Sequence, residues 1–125
     1  MKTYTVEVLE DITEWFLNGQ RHREDGPAIE YPNGTKYWYL NDQRHRTNGP
    51  AIEDANGYKA WYLNGQPHRT DGPAIECTDG YKAWFLNGQQ VTEQEFLNRT
   101  TTTELTLEQI ATKFGISVDQ LKIKK

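Results

Sequence analysis

Residues 38–57 read WYLNDQRHRTNGPAIEDANG, and nearly the same words stand on either side of them. Residues 15–34 are WFLNGQRHREDGPAIEYPNG, residues 61–80 are WYLNGQPHRTDGPAIECTDG, and residues 84–88, WFLNG, begin a fourth copy that is not completed. Trp15, Trp38, Trp61 and Trp84 therefore recur every 23 residues. A fixed period of this length marks a repeat array, in which one small supersecondary unit is stacked on copies of itself.

Within a unit, Lys36-Tyr37-Trp38-Tyr39-Leu40 and its equivalents are rich in the aromatic residues that favour strands. Asn-Gly or Asn-Asp ends each one. Asp25-Gly26-Pro27, Asn48-Gly49-Pro50 and Asp71-Gly72-Pro73 mark a turn, after which Ala-Ile-Glu opens a second strand that closes at Asn33-Gly34, Asn56-Gly57 or Asp79-Gly80. Asn-Gly and Asp-Gly supply the positive φ angles of tight hairpins. The expectation is an antiparallel β-meander of about eight strands built from two-stranded repeats, the first strand being Tyr4 to Leu9. Residues 1–90 form this β-repeat domain, with units starting at 15, 38 and 61 and a partial one at 84. Strand alternation puts Trp38 and Leu40 on one face and Tyr37 and Tyr39 on the other. One sheet cannot bury two aromatic faces, so one of them must be covered by curling, by the C-terminal segment or by a partner.

After Gln90 the pattern becomes helical. Thr92-Glu93-Gln94-Glu95, Thr106-Leu107-Glu108-Gln109 and Ser117-Val118-Asp119-Gln120 have the form of capping boxes. They predict helices near 92–98, 106–114 and 117–123, so residues 91–125 read as a small helical cap over the last strand of a mainly β protein. The run from Leu107 to Leu121 resembles a helix-turn-helix, and more faintly the two helices of a LysM domain. That resemblance implies a DNA-binding regulator as one alternative, with basic residues at Lys113, Lys122, Lys124 and Lys125.

Composition narrows the function. The 125 residues carry a net charge of −4, with nine Lys/Arg against thirteen Asp/Glu in residues 1–90 and five against five in 91–125, which does not suit a phosphate-backbone binder. The N-terminal stretch MKTYTVEVLED has no apolar run of signal-peptide length and no later segment approaches a membrane span, so a cytoplasmic protein is expected. The one cysteine, Cys77, stands where other copies have Tyr31 and Asp54, a position too permissive to suit a nucleophile. No paired carboxylates, Ser-His-Asp set or phosphate-cradling glycine loop is evident, so no enzyme and no cofactor is expected.

The 23-residue unit, with its Asn-Gly turn, His-Arg pair and aromatic strand, resembles the MORN repeat family over about residues 15–90. Its W-Y-L-N-G-x-x-H-R-x-D-G-P-A form is similar to repeat proteins of bacteriophage and large-virus genomes. The resemblance implies a sheet-like, non-enzymatic binding module, and an inhibitor of a host or defence protein acting in the host cytoplasm.

Two residue sets are candidates for that binding. Tyr39, Tyr62, Phe16 and Phe85 keep a large ring on the face opposite the tryptophans and, with Arg23, Arg46 and Arg69, suit a protein interface. Alternatively His22, Arg23, His45, Arg46, His68 and Arg69 form a ladder that binds an anion or nucleotide, which requires the arginines to be free of salt bridges. A competing reading makes each Arg the partner of the acid in its own turn and each His a strand-end cap; the pair is absent from the fourth copy, where Gln90-Val91 stand and no return strand follows. A single metal site is excluded, because successive histidines two strands apart are separated by about 9 to 10 Å and ligands of one zinc ion lie about 2 Å from it. The four tryptophans read as core. Edge pairing through the first strand, or contact through the helices, offers a route to a homodimer.

Overall fold

The structure, a computed structural model, describes residues 2–100. In chain order the strands are β1 Tyr4–Leu9, β2 Ile12–Leu17, β3 Gln20–Arg21, β4 Ile29–Glu30, β5 Lys36–Tyr37, β6 Tyr39–Leu40, β7 Gln43–Arg44, β8 Ile52–Glu53, β9 Lys59–Ala60, β10 Tyr62–Leu63, β11 Gln66–Pro67, β12 Ile75–Glu76, β13 Lys82–Leu86 and β14 Gln89–Val91, followed by helix α1 Glu93–Thr100. The protein is mainly antiparallel β with a short C-terminal helix. The main sheet runs β1-β2-β4-β5-β8-β9-β12-β13-β14, with β3 on β2, while β6-β7 and β10-β11 form hairpins of their own.

More strands appear than the expected eight, because each hairpin adds a return strand (β3, β7, β11 and β14) and because the aromatic strands through Trp38 and Trp61 are interrupted at the tryptophan. Trp38 donates its N–H to the Ala51 carbonyl at 2.8 Å and accepts the His45 N–H on its own carbonyl at 3.1 Å. Before Trp38 the chain pairs with the return strand β8; after it, with the hairpin strand β7. One bent strand thus belongs to two ladders. Trp15 and Trp61 repeat the arrangement with Ala28 and His22, and with Ala74 and His68.

The hairpins are bonded to one another as well. Arg23 N–H reaches the Tyr39 carbonyl and Asp42 N–H reaches the Arg21 carbonyl; the same pair of bonds recurs one unit on, between Arg46 and Tyr62 and between Gly65 and Arg44. The array is therefore two parallel columns, one of Ile-Glu and Lys-aromatic strands and one of hairpins, hinged along the line of tryptophans. Asn-Gly and Asn-Asp at the hairpin tips adopt positive φ at both positions, as in Asn41 (50°) and Asp42 (64°), the type I′ geometry that matches strand twist. At the other turns the pairing is looser than the two-residue hairpin expected. Tyr31 N–H bonds the Thr35 carbonyl, Asn33 Oδ1 accepts the Thr35 N–H, and only Gly34 takes positive φ (95°).

The core is thin and made of small residues. Ala28, Ile29, Ala51, Ile52, Ala60, Ala74 and Ala83 are buried, whereas all four tryptophans are only half-buried, which corrects their reading as the core. The physical reason is at the turns: an arginine covers one face of each of the first three indoles and leaves the rim open. Directly opposite residues share a face, so Ile29, Tyr37, Ile52, Ala60, Ile75 and Ala83 line up on one side of the sheet, and Glu30, Lys36, Glu53, Lys59, Glu76 and Lys82 alternate in charge on the other. Opposite charges across a ladder each contribute a few tenths to about 1 kcal/mol.

At the end of the array α1 packs on β13. Its first turn is closed as the capping box predicts, the Thr92 hydroxyl accepting the Glu95 N–H at 3.1 Å. Phe96 and Leu86 are both buried there. The expected helices at 106–114 and 117–123, and the helix-turn-helix-like run with Lys113, Lys122, Lys124 and Lys125, lie outside the described residues.

Removing the ring that seats α1 will destabilise the array end: Phe96→Ala is expected to cost about 3 kcal/mol in chemical denaturation. Alkali gives a second check. Burial, reinforced by the charge of Asp54, raises the Tyr37 hydroxyl above its ordinary pKa of 10.0, so the fold holds that proton more tightly than the unfolded chain does. The stabilisation is complete below about pH 10 and is lost as pH rises through the folded value. Melting temperature should fall above pH 10, and fall less steeply in Tyr37→Phe.

Candidate functional site

The His-Arg pairs sit on the tryptophan face, and each arginine is held from every side. Arg46 stacks on Trp38 with its guanidinium carbon 3.8 Å from the indole centroid. Its Nη1 donates to the Pro50 carbonyl at 3.1 Å and to Glu53 at 3.0 Å, and its Nε donates to Asn48 at 3.1 Å. Arg23 repeats the set with Trp15, Asp25, Pro27 and Glu30, and Arg69 with Trp61, Asp71, Pro73 and Glu76. The glycine of each turn completes the slot. A Cβ on Gly49 would lie 2.8 Å from the Arg46 guanidinium carbon, and Gly26 and Gly72 would each meet theirs at 2.9 Å. None of these glycines has positive φ, so it is the arginine, not the backbone angle, that excludes a side chain there.

The histidines look the other way along the array. Nδ1 of His22 accepts the Asn41 N–H at 3.0 Å, His45 accepts from Asn64 at 3.0 Å, and His68 from Asn87 at 2.8 Å. Each ring therefore carries its proton on Nε2 and caps the hairpin tip of the next unit. That explains the missing pair after Trp84: among the described residues no further hairpin follows that would need it.

These contacts count against the alternative of an anion-binding ladder. Its condition was arginines free of salt bridges, and Arg23, Arg46 and Arg69 pair with Glu30, Glu53 and Glu76 at 3.1, 3.0 and 3.2 Å. Two open clefts do lie between successive turns. One, of about 530 Å³, has Trp38 and Leu40 as its floor, and the next, of about 620 Å³, has Trp61 and Leu63. Glu24 and Asp25 stand in the walls of the first. A hydrogen bond from Lys2, then one from His22, holds the Glu24 carboxyl below the usual carboxylate range, so it is an anion itself. Among the described residues no group of three His, Cys, Asp or Glu side chains is placed to hold a metal ion.

The proposed protein-contact set is split by the fold. Arg23, Arg46 and Arg69 lie over Trp15, Trp38 and Trp61, and strand alternation turns Phe16, Tyr39, Tyr62 and Phe85 to the other side of the hairpin column. The residues that do join the rings are Arg21, Arg44 and Pro67, directly across the hairpins from Phe16, Tyr39 and Tyr62. Arg21 lies 5.9 Å from the Tyr39 centroid; Arg44 lies 6.0 Å from Tyr39 and 5.6 Å from Tyr62. Arg21 also approaches Glu14 at 3.6 Å, whereas Arg44 is exposed and has no carboxylate partner among the described residues. The signal for Arg21 and Arg44 was in the sequence: a two-residue turn at Asn18-Gly19 or Asn41-Asp42 fixes which residues face each other, and counting outward places Arg across from Phe16 or Tyr39.

No protein-family model matches the chain, and no curated protein or solved structure matches it.

The arginine slot makes a falsifiable claim about coupling. Gly49→Ala alone should destabilise the protein by about 1 to 3 kcal/mol through overpacking. In an Arg46→Ala background the same change should be close to neutral, since the atoms it would strike are gone. A double-mutant cycle by urea denaturation measures the difference; additive effects would mean that the guanidinium does not occupy the slot.

Proposed function

We propose that this chain is a non-enzymatic, protein-binding repeat module that meets its partner through the ring-bearing face of the hairpin column: Phe16, Arg21, Tyr39, Arg44, Tyr62 and Phe85. The observation that carries this reading is Arg44. It lies between the rings of Tyr39 and Tyr62 with its charge unpaired by any described carboxylate. Tyrosine supplies a rigid, amphipathic surface at low entropic cost, and an arginine held over it presents a planar fork to an incoming carboxylate. These two residue types are enriched among the residues that dominate interface energetics. The opposite face is a poorer candidate, because its arginines and histidines are engaged in building the array.

The partner's complementary surface should therefore combine an exposed carboxylate with apolar area. The resemblance to viral repeat proteins makes host and defence proteins the first class to screen, in the cytoplasm.

The test is capture of bound proteins by the native chain, by Tyr39→Ala/Tyr62→Ala and by Arg44→Glu, each variant first shown to melt like the native protein. A protein held by the native chain should bind either variant at least about tenfold more weakly. Undiminished binding by both variants would remove this face as the interface.

A further inference from the structure

Among the described residues strand β1 is the end of the main sheet and pairs with β2 alone. No described strand pairs with its outer edge, and it carries three of the five exposed large apolar residues among those described: Val6 is 45% exposed, Val8 67% and Leu9 75%. No proline or bulge interrupts it, and Glu7 is its one charge. Such an edge is a template for another strand.

The hydrogen-bonding phase of that edge follows from its neighbours. Trp15, opposite Val6, directs its N–H to Ala28 and its carbonyl to His22, both away from β1. Val6 is therefore in a non-hydrogen-bonded pair with Trp15, and by alternation Tyr4, Val6 and Val8 point their N–H and C=O groups outward. The two-residue turn at Glu10-Asp11, positive in φ at both positions, gives the same phase from the other end by closing on Leu9 and Ile12.

We infer that β1 pairs antiparallel with β1 of a second copy of this chain, about a two-fold axis at Val6. This register sets Val6 against Val6 and Tyr4 against Val8 in both directions, so all three outward-facing residues of each strand exchange both backbone hydrogen bonds. Their side chains form one apolar strip on the tryptophan face, where Tyr4 already stacks edge-on against Trp15 at 5.8 Å. On the other face Thr5 meets Glu7. Competing registers do worse. A centre on Glu7 puts two carboxylates directly opposite, and a centre on Thr5 leaves Val8 without an apolar partner. Centres between residues match outward groups with inward ones. The interface is isologous and closes after two copies. Because the axis is perpendicular to the sheet, both copies turn their hairpin rings to the same side.

Equilibrium sedimentation of the full chain over a range of concentrations should show a monomer–dimer equilibrium, abolished by Val6→Lys and by Val8→Lys. Both sites are exposed in the monomer, Val8 more than Val6, and circular dichroism reports whether each variant keeps its fold. The register is read by disulfide trapping in a Cys77→Ser background: Val6→Cys should cross-link to itself under mild oxidation, and Glu7→Cys should not. A native chain that stays monomeric at the highest concentration would overturn the proposal. So would a dimer that persists in both folded lysine variants, or one that cross-links through Glu7→Cys in preference to Val6→Cys.

Discussion

A guanidinium wedged between an indole and a glycine is the contact on which the array depends. Arg46 lies flat on Trp38, and the missing side chain of Gly49 leaves room for it. From that slot it bonds the Pro50 carbonyl and Glu53, so one side chain turns a polar loop back into a return strand. A cation over an indole contributes roughly 0.5 to 2 kcal/mol. The bonds to a carboxylate and a carbonyl add to it, and they also close a turn whose backbone has few partners of its own. Lysine has neither the plane to stack nor the fork to reach both acceptors.

The neighbouring histidine carries the order from one unit to the next. Because His45 Nδ1 accepts the N–H of Asn64, each hairpin tip is completed by the unit before it. A single unit cannot satisfy its own polar groups, so stability is shared between neighbours as in other repeat arrays. The last unit has no successor among the described residues; it lacks the His-Arg pair and carries α1 instead, with Phe96 buried at that end. The thin core follows from the same arrangement. Alanines occupy the crease, where the tryptophan N–H bonds their carbonyls, and the large rings remain half-exposed beside it.

This division separates the two surfaces. On the tryptophan face the recurring charges are matched, Arg to Glu within units and Lys to Glu across strands. On the ring-bearing face of the hairpins the cations are stacked but less completely matched, and Arg44 is the clearest instance. Recurrence in the sequence was strongest for the residues with structural roles, because each copy must build the same slot. The ring-bearing face varies more, with Arg21, Arg44, Pro67 and Gln90 at equivalent places.

By itself the sequence determined the repeat, its period, its antiparallel β character, the first strand from Tyr4 to Leu9 and the capped start of the helix after Thr92. These are readable because they rest on local rules: alternation, positive φ at Asn-Gly, and a hydroxyl that closes a helix turn. Only the tertiary structure decided that Trp38 stands at a bend between two ladders, that the arginines are enclosed, and that Tyr39 faces Arg21 and Arg44 rather than Arg46. Each of these depends on where a carbonyl or a ring from another strand arrives, as when the Ala51 carbonyl takes the Trp38 N–H. No local propensity encodes that arrival. It follows from packing every unit against its neighbours at once.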